Sequence, residues 1–277
     1  MEPRKAVSTE RYKNACKYVC KHSIAFVEER KGSVHLRGSG SLVTFDGEKF
    51  ILTCNHVWRE FRDRTTVCIT MVDERSHKTE IHVASLKECS LSEVPDPDLL
   101  SADLTLLTIN PIDYGRLDAR LSFYSSLHEK RGHADLANDY VIIGAPGQLA
   151  KSDPNDPSIL DFELRATPVG NIKEENHPDL GLDFITVYPH VDKESPLYRY
   201  NGISGGGLWE LGYIPDETAI EGFRYEPMFL GVNYLQQRDD NTKPWDRVRC
   251  LGRRAVQTLM TKYRQETRGN SGQTGRF

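Results

Sequence analysis

Long apolar runs are missing from this chain of 277 residues. No stretch approaches the roughly 18 apolar residues that a membrane-crossing helix needs. The opening residues, Met1-Glu2-Pro3-Arg4-Lys5, lead into further charge rather than into the apolar core of a signal peptide. The expectation is therefore a cytoplasmic protein with no membrane association. An excess of charge of one sign is missing too. Charged residues make up 27% of the chain, yet the net charge is only −4, so no nucleic-acid surface is expected. Cysteine is sparse: Cys16, Cys20, Cys54, Cys68, Cys89 and Cys250. Without a secretory context these are expected to be thiols. Cys16 and Cys20 lie near His22, but nothing completes a zinc spacing. No metal and no cofactor are expected.

What is present is mostly strand-forming sequence between two helical ends. Thr9–Lys21 predicts a helix with an apolar stripe of Tyr12, Ala15, Cys16, Val19 and Cys20, which either packs on the body or binds a partner. Ser23–Glu29 extends that helix or forms a first strand. Strands are predicted over Ser33–Arg37, Ser39–Phe45, Lys49–Cys54, Val67–Val72 and Glu80–Leu86, with Asp46-Gly47 as a hairpin turn. Residues 87–100 and 110–138 are expected to be loop and linker. Further strands are predicted from Asp139, over Leu160–Asn171 and Leu182–His190, then over Gly206–Leu211 and Met228–Leu235. An amphipathic helix is predicted from Asp246 to about Arg268, and residues 269–277 are expected to be disordered.

Three stretches carry chemistry. Asn201-Gly202-Ile203-Ser204-Gly205-Gly206-Gly207 sets a serine hydroxyl among glycines, on a turn able to aim backbone N–H groups at a developing oxyanion. Upstream, Leu52-Thr53-Cys54-Asn55-His56-Val57 brings an apolar strand to a histidine. Between them, Ala102-Asp103-Leu104-Thr105-Leu106-Leu107 sets an aspartate at the head of a second one. A serine needs a base, and the base needs an acceptor on its other ring nitrogen. The order His56, Asp103, Ser204 is that of chymotrypsin-like hydrolases.

With these stretches, Gly38-Ser39-Gly40-Ser41-Leu42-Val43, Val141-Ile142-Ile143-Gly144-Ala145-Pro146-Gly147 and Phe229-Leu230-Gly231-Val232 complete a resemblance. The chain resembles the trypsin-like (chymotrypsin-fold) serine peptidases, closer to their bacterial, HtrA-like branch, over about residues 33 to 237. The resemblance implies an all-β fold of two six-stranded antiparallel Greek-key barrels. The expected divisions are a helical arm (1–27), a first barrel (28–135), a second barrel (136–245), and a C-terminal helix with a disordered tail (246–277). It implies Ser204 as nucleophile, His56 as base and then acid, Asp103 as its orienter, and the N–H groups of Gly202 and Ser204 as the oxyanion hole. Asn233, Tyr234 and Leu235 would border the primary substrate pocket, Leu235 narrowing it, with Tyr198 near its base.

Two positions depart from the family. Ile203 stands where zymogen-type members carry an aspartate that pairs with a newly cut N-terminus, so activation by N-terminal cleavage is not expected. Gly207 stands where proline is common, which would loosen the loop. The implied function is an intracellular serine endopeptidase acting on a protein or peptide substrate. A regulatory protein partner would dock through the terminal helices. A non-catalytic binding module on the same fold and an esterase or acyltransferase using the same triad remain open.

Overall fold

A computed structural model describes residues 9–30, 33–70, 78–91, 102–113, 122–125, 139–147, 150–152, 155, 160–161, 164–190, 202–219, 222–239 and 243–271. Helix α1 (Thr9–Cys20) is followed by β1 (Ser23–Arg30), β2 (Ser33–Phe45), β3 (Glu48–Thr53), the short helix α2 (Asn55–Arg59), β4 (Thr66–Thr70), β5 (Lys78–His82), β6 (Lys87–Ser90) and β7 (Thr105–Thr108). The second half holds β8 (Asp139–Gly144), β9 (Lys151–Ser152), β10 (Leu160–Asp161), β11 (Arg165–His177), β12 (Leu182–Pro189), β13 (Gly207–Leu211), β14 (Tyr213–Pro215), β15 (Phe223–Tyr225), β16 (Met228–Asp239) and β17 (Lys243–Gly252), then helix α3 (Arg253–Ser271).

The two halves close differently. In the second, β11, β12, β17, β16, β13 and β8 form a closed six-stranded barrel. In the first, seven strands run in the order β5-β4-β1-β2-β3-β7-β6, curled into a half-barrel. The expected six-stranded closure is thus met in the second half. In the first, β5 pairs with β4 and β6 with β7, and among the described residues the two edges do not pair with each other.

Local chemistry accounts for most of the elements. Asp46 and Gly47 both have positive φ, 50° and 83°, the geometry of a two-residue hairpin between β2 and β3. Ile24, Ala25, Phe26 and Val27 of β1 are all buried. The strand lies between β2 and β4 and turns Ala25 towards Ala145 and Leu164 of the second half. It is covered on both faces, so it shows no alternation in sequence. Residues 87–90, expected in a loop, pair with β7 as β6. Residues 212–227, between two of the predicted strands, carry the β14–β15 hairpin.

The C-terminal helix begins later than expected. Residues 246–252 belong to β17, which lies between β12 and β16. Val248 and Cys250 point into the second barrel's core. The helix start was hidden because its cap is remote in sequence: Asp183 on β12 accepts from the N–H groups of Arg254 (3.2 Å) and Ala255 (2.9 Å), satisfying two of the unpaired donors at a helix start. Ala255, Val256, Leu259, Met260 and Tyr263 form the buried face of α3. Tyr263 packs edge-on against Phe50 of β3, and Lys262 Nζ donates to Ser90 O of β6 (2.5 Å). The helix therefore ties the closing strands of one half to the other. Helix α1 buries Ala15, Cys16 and Val19 and packs beside β8, β11 and β13. All six cysteines are free thiols. Most of the expected linker, residues 110–138, and residues 272–277 of the expected disordered tail lie outside the described residues. Residues 269–271 continue α3.

One buried charge gathers several elements of the first half. Glu28 of β1 is almost fully buried. It accepts from Arg64 (2.5 Å), Arg37 (2.6 Å) and Arg30 (2.7 Å). Burial alone would raise its pKa, but the Arg64 and Arg37 guanidiniums outweigh it and hold the carboxyl down at about 2. A carboxyl depressed in the fold stabilises the protein above its unfolded value and loses that contribution as pH falls through the folded value. Stability from Glu28 is therefore present above about pH 4.5 and lost progressively down to about pH 2. Glu28→Ala removes the carboxylate shared by three partly exposed cations and is expected to cost about 1.5–3 kcal/mol at pH 7, the range for hydrogen bonds to charged groups. Urea unfolding should show that deficit at pH 7, and a smaller one at pH 3. An equal deficit at both pH values would assign the effect to lost packing instead.

Candidate active site

Two neighbouring strands deliver the first two groups. Thr53 at the end of β3 pairs with Thr105 at the start of β7. Just beyond Thr53 the chain turns into α2, whose first turn carries His56; just ahead of Thr105 lies Asp103. His56 therefore sits in a short helix rather than at a strand end. Asp103 Oδ1 accepts from the His56 backbone N–H at 2.9 Å, and Oδ2 meets His56 Nδ1 in a short contact. Asp103 is buried, while the imidazole of His56 is 43% exposed. One carboxylate thus holds both the main chain and the ring, leaving Nε2 on the open side.

The Ser204 turn is built by hydrogen bonds that glycine alone permits. Gly202 and Gly205 have φ of +96° and +87°, a region that side chains disfavour. A Cβ on Gly205 would stand 2.0 Å from Ser39 O and 2.3 Å from Thr53 Oγ1. Gly206 N donates to Ile203 O (2.9 Å), Gly205 N to Asn233 O (2.7 Å), and Asn233 N to Gly206 O (2.8 Å). Ser39 N on β2 donates to Ser204 O (2.8 Å). The turn is pinned to β16 on one side and to the first half of the chain on the other, beside the segment that leads to His56. Among the described residues, the N–H groups of Gly202 and Ser204 and the Ser204 hydroxyl have no internal hydrogen-bond partner.

Of the residues expected to border a substrate pocket, Asn233 is fully buried. Its Nδ2 donates to Ile143 O (3.1 Å) and Gly207 O (3.4 Å), and its Oδ1 accepts from Cys250 Sγ (3.2 Å). It supports the turn from beneath, with its side chain turned inward. Tyr234 is half-buried, and burial pushes its hydroxyl pKa up to about 12. The side chain of Leu235 and all of Tyr198 lie outside what is described.

Cys54 completes a compact group with His56 and Asp103, their ligand atoms within 4.8 Å of one another. That group has an explanation without an ion. Burial raises the Cys54 pKa, and the Asp103 charge raises it further. The protonated thiol donates to Asn233 O at 3.1 Å, while the His56 ring is bonded to the carboxylate. A protonated thiol is neither a nucleophile nor a metal ligand.

Ile203 is buried in the second barrel's core with Ile142, Val169, Ile185 and Leu208. Gly144 makes that seat: a Cβ there would stand 2.7 Å from Ile203 Cα. Gly207 does not loosen the loop. It pairs with Val232, and the Trp209 indole fills the space a side chain would need, 2.3 Å from a built Cβ. Ser39 and Thr53 were not singled out from the sequence. Ser39 lies in the quoted Gly-Ser-Gly-Ser stretch, but nothing there tells which of its two serines faces the turn.

Comparisons with known proteins bear on the fold. No family model matches the sequence, and no curated protein matches it. Among solved structures, the HtrA-type protease AlgW with a decapeptide is similar over 93% of this chain and 68% of that one, at 14% identity and a TM-score of 0.50. An inactive form of Rv3671c from M. tuberculosis H37Rv covers 95% of this chain and 96% of that one, at 15% identity and a TM-score of 0.46. The AlgW likeness, together with the closed barrel and its curled partner, gives the fold: the chain has a chymotrypsin-like architecture.

The packing of Gly207 is open to a direct check. Gly207→Ala forces a methyl into the Trp209 indole and is expected to cost about 1–3 kcal/mol, the range for overpacking a filled core. Thermal unfolding should show a lower midpoint, and the fluorescence of Trp209 should shift. A variant as stable as the parent would contradict the contact.

Proposed function

We propose that the protein is a serine endopeptidase that cuts a protein or peptide substrate through His56, Asp103 and Ser204. The observation that carries this reading is the double grip of Asp103 on His56, at the backbone N–H (2.9 Å) and at Nδ1. A carboxylate so placed fixes the ring tautomer that leaves Nε2 free to accept a proton. The Ser204 hydroxyl attacks the scissile carbonyl, and His56 takes its proton. The N–H groups of Gly202 and Ser204 receive the developing negative charge. His56 then returns the proton to the departing amine, and water repeats the sequence to release the acyl group. No step calls for a metal or cofactor. The substrate backbone would run beside β16, with Tyr234 and Leu235 at the pocket edge and Asn233 beneath it. A cytoplasmic location and a regulatory partner docking on α1 or α3 belong to the same proposal.

A fluorophosphonate is expected to add once per chain, at Ser204. Ser204→Ala and His56→Ala should take none, while their unfolding midpoints stay close to the parent's. Labelling elsewhere with Ser204 unmodified would sink the triad. Absence of any adduct on folded protein would favour a binding module, and labelling accompanied by ester but not peptide turnover would favour an esterase.

The same reading holds that no N-terminal cut is needed. Ile203 offers a new α-ammonium no carboxylate, and burying that charge against an apolar side chain would cost several kcal/mol. Full-length protein, its mass confirmed, should react with the phosphonate at the same rate as protein trimmed ahead of Thr9. The cut must stay upstream of β1, an inner strand of the first sheet. Reaction confined to the trimmed form would overturn the proposal.

A further inference from the structure

With an apolar residue before Ser204, the loop that carries Gly202 and Ser204 has to be ordered by something other than an ion pair. Ser39 supplies the contacts. It lies on β2 in the first half of the chain and is fully buried. Its hydroxyl donates to Gly202 O at 2.7 Å and accepts from Ala145 N at 2.9 Å. Its backbone N–H donates to Ser204 O at 2.8 Å, and its carbonyl accepts from Thr53 Oγ1 at 2.8 Å. One residue of one half therefore binds two carbonyls of the loop in the other half. It is joined through Thr53 to the segment leading to His56.

The geometry gives these contacts a specific consequence. Peptide units are planar and rotate as units. The Gly202–Ile203 peptide lies between the two N–H groups proposed to bind the oxyanion, so its orientation sets their separation. Ser39 Oγ holds that peptide by its carbonyl. The next peptide is held by Gly206 N on Ile203 O (2.9 Å), and the one after by Ser39 N on Ser204 O. From the other side Ile203 is seated over Gly144. Without the Ser39 hydroxyl, Gly202 O and the buried N–H of Ala145 both lose their partner, and a glycine with free access to either sign of φ can rotate.

We propose that Ser39 is a positioning residue that preassembles the oxyanion loop, doing in this chain what a buried ion pair does in zymogen-type relatives. Its catalytic consequence rests on the peptidase reading above, whereas its structural consequence does not.

The control is on the same strand. Ser41 is also fully buried, and its hydroxyl has no hydrogen-bond partner among the described residues. Ser39→Ala and Ser41→Ala thus remove the same atom from equally buried sites, and only the first removes a bond to the loop. Amide hydrogen exchange over residues 202–206, followed by mass spectrometry, should quicken at least about tenfold in Ser39→Ala, as expected when a local opening replaces a hydrogen-bonded state. It should stay at the parent's rate in Ser41→Ala. Turnover of a peptide substrate should fall on the order of ten- to a hundredfold in kcat for Ser39→Ala, with KM within about twofold, the pattern of lost transition-state alignment. Ser41→Ala should match the parent in both constants.

Ser39→Cys, whose thiol is a weaker donor, should fall between the parent and Ser39→Ala in exchange and in kcat, and it carries the test if Ser39→Ala does not fold. Loop exchange unchanged in Ser39→Ala, equal acceleration by Ser41→Ala, or parent-like exchange and kcat in Ser39→Cys would each overturn the proposal. Accelerated exchange in a protein whose parent form takes no phosphonate would retain the latch and defeat the peptidase reading, so the two can fail separately.

Discussion

The two halves of the candidate site meet on one buried carbonyl. Asn233 O accepts from Gly205 N at 2.7 Å and from Cys54 Sγ at 3.1 Å. Gly205 directly follows Ser204, and Cys54 stands just ahead of His56. The serine turn and the histidine segment, contributed by different halves of the chain, therefore share an acceptor on β16. The side chain of Asn233 completes the arrangement by capping Ile143 O and Gly207 O and accepting from Cys250. An apolar residue of similar size would remove both hydrogen bonds to these carbonyls, at roughly 0.5–1.5 kcal/mol each. A polar side chain inside this barrel thus braces the strands on which the turn rests.

Environment, more than residue type, sorts the reactive groups. Cys54 lies within 4.8 Å of the ligand atoms of His56 and Asp103, and a thiol is intrinsically the better nucleophile. Burial and the nearby carboxylate both raise its pKa, so it stays protonated and serves as a donor. The imidazole of His56, in contrast, is partly open to solvent. The same carboxylate suppresses ionisation of the thiol and holds the histidine ring in place. A chemically competent cysteine is kept inert without being moved away from the site.

What was legible in the sequence followed from local rules. Asp46-Gly47 announces a hairpin, the apolar stripe of α1 announces a docked helix, and the Gly-rich turn around Ser204 announces a backbone that side chains would break. What stayed illegible depended on partners far away in the chain. Residues 246–252 carry apolar positions compatible with helix, and only the pairing of β17 with β12 and β16 makes them a strand. Helix α3 has no cap of its own because Asp183 supplies one from β12. Asn233 was expected at a pocket edge because it lies in the right strand; its inward orientation depends on carbonyls of β8 and β13. At Gly207 the sequence suggested slack, while the tightness comes from the Trp209 indole folding back over it.

These long-range contacts also explain how Ile203 can be tolerated before Ser204. An ion pair that orders a loop is strong only when desolvated, and an α-amino group loses its charge near pH 8. The contacts seen in this chain do not titrate in that range: an isoleucine in an apolar core, over a glycine that makes room for it, and a serine hydroxyl bridging two backbone groups. Each is modest alone, but they act on consecutive peptide units, so displacing one requires displacing its neighbours. Order of this kind is built in when the two halves of the chain come together, because Ser39 and Thr53 belong to one half and Gly144 and Asn233 to the other. The loop is then as well formed as the contact between the halves.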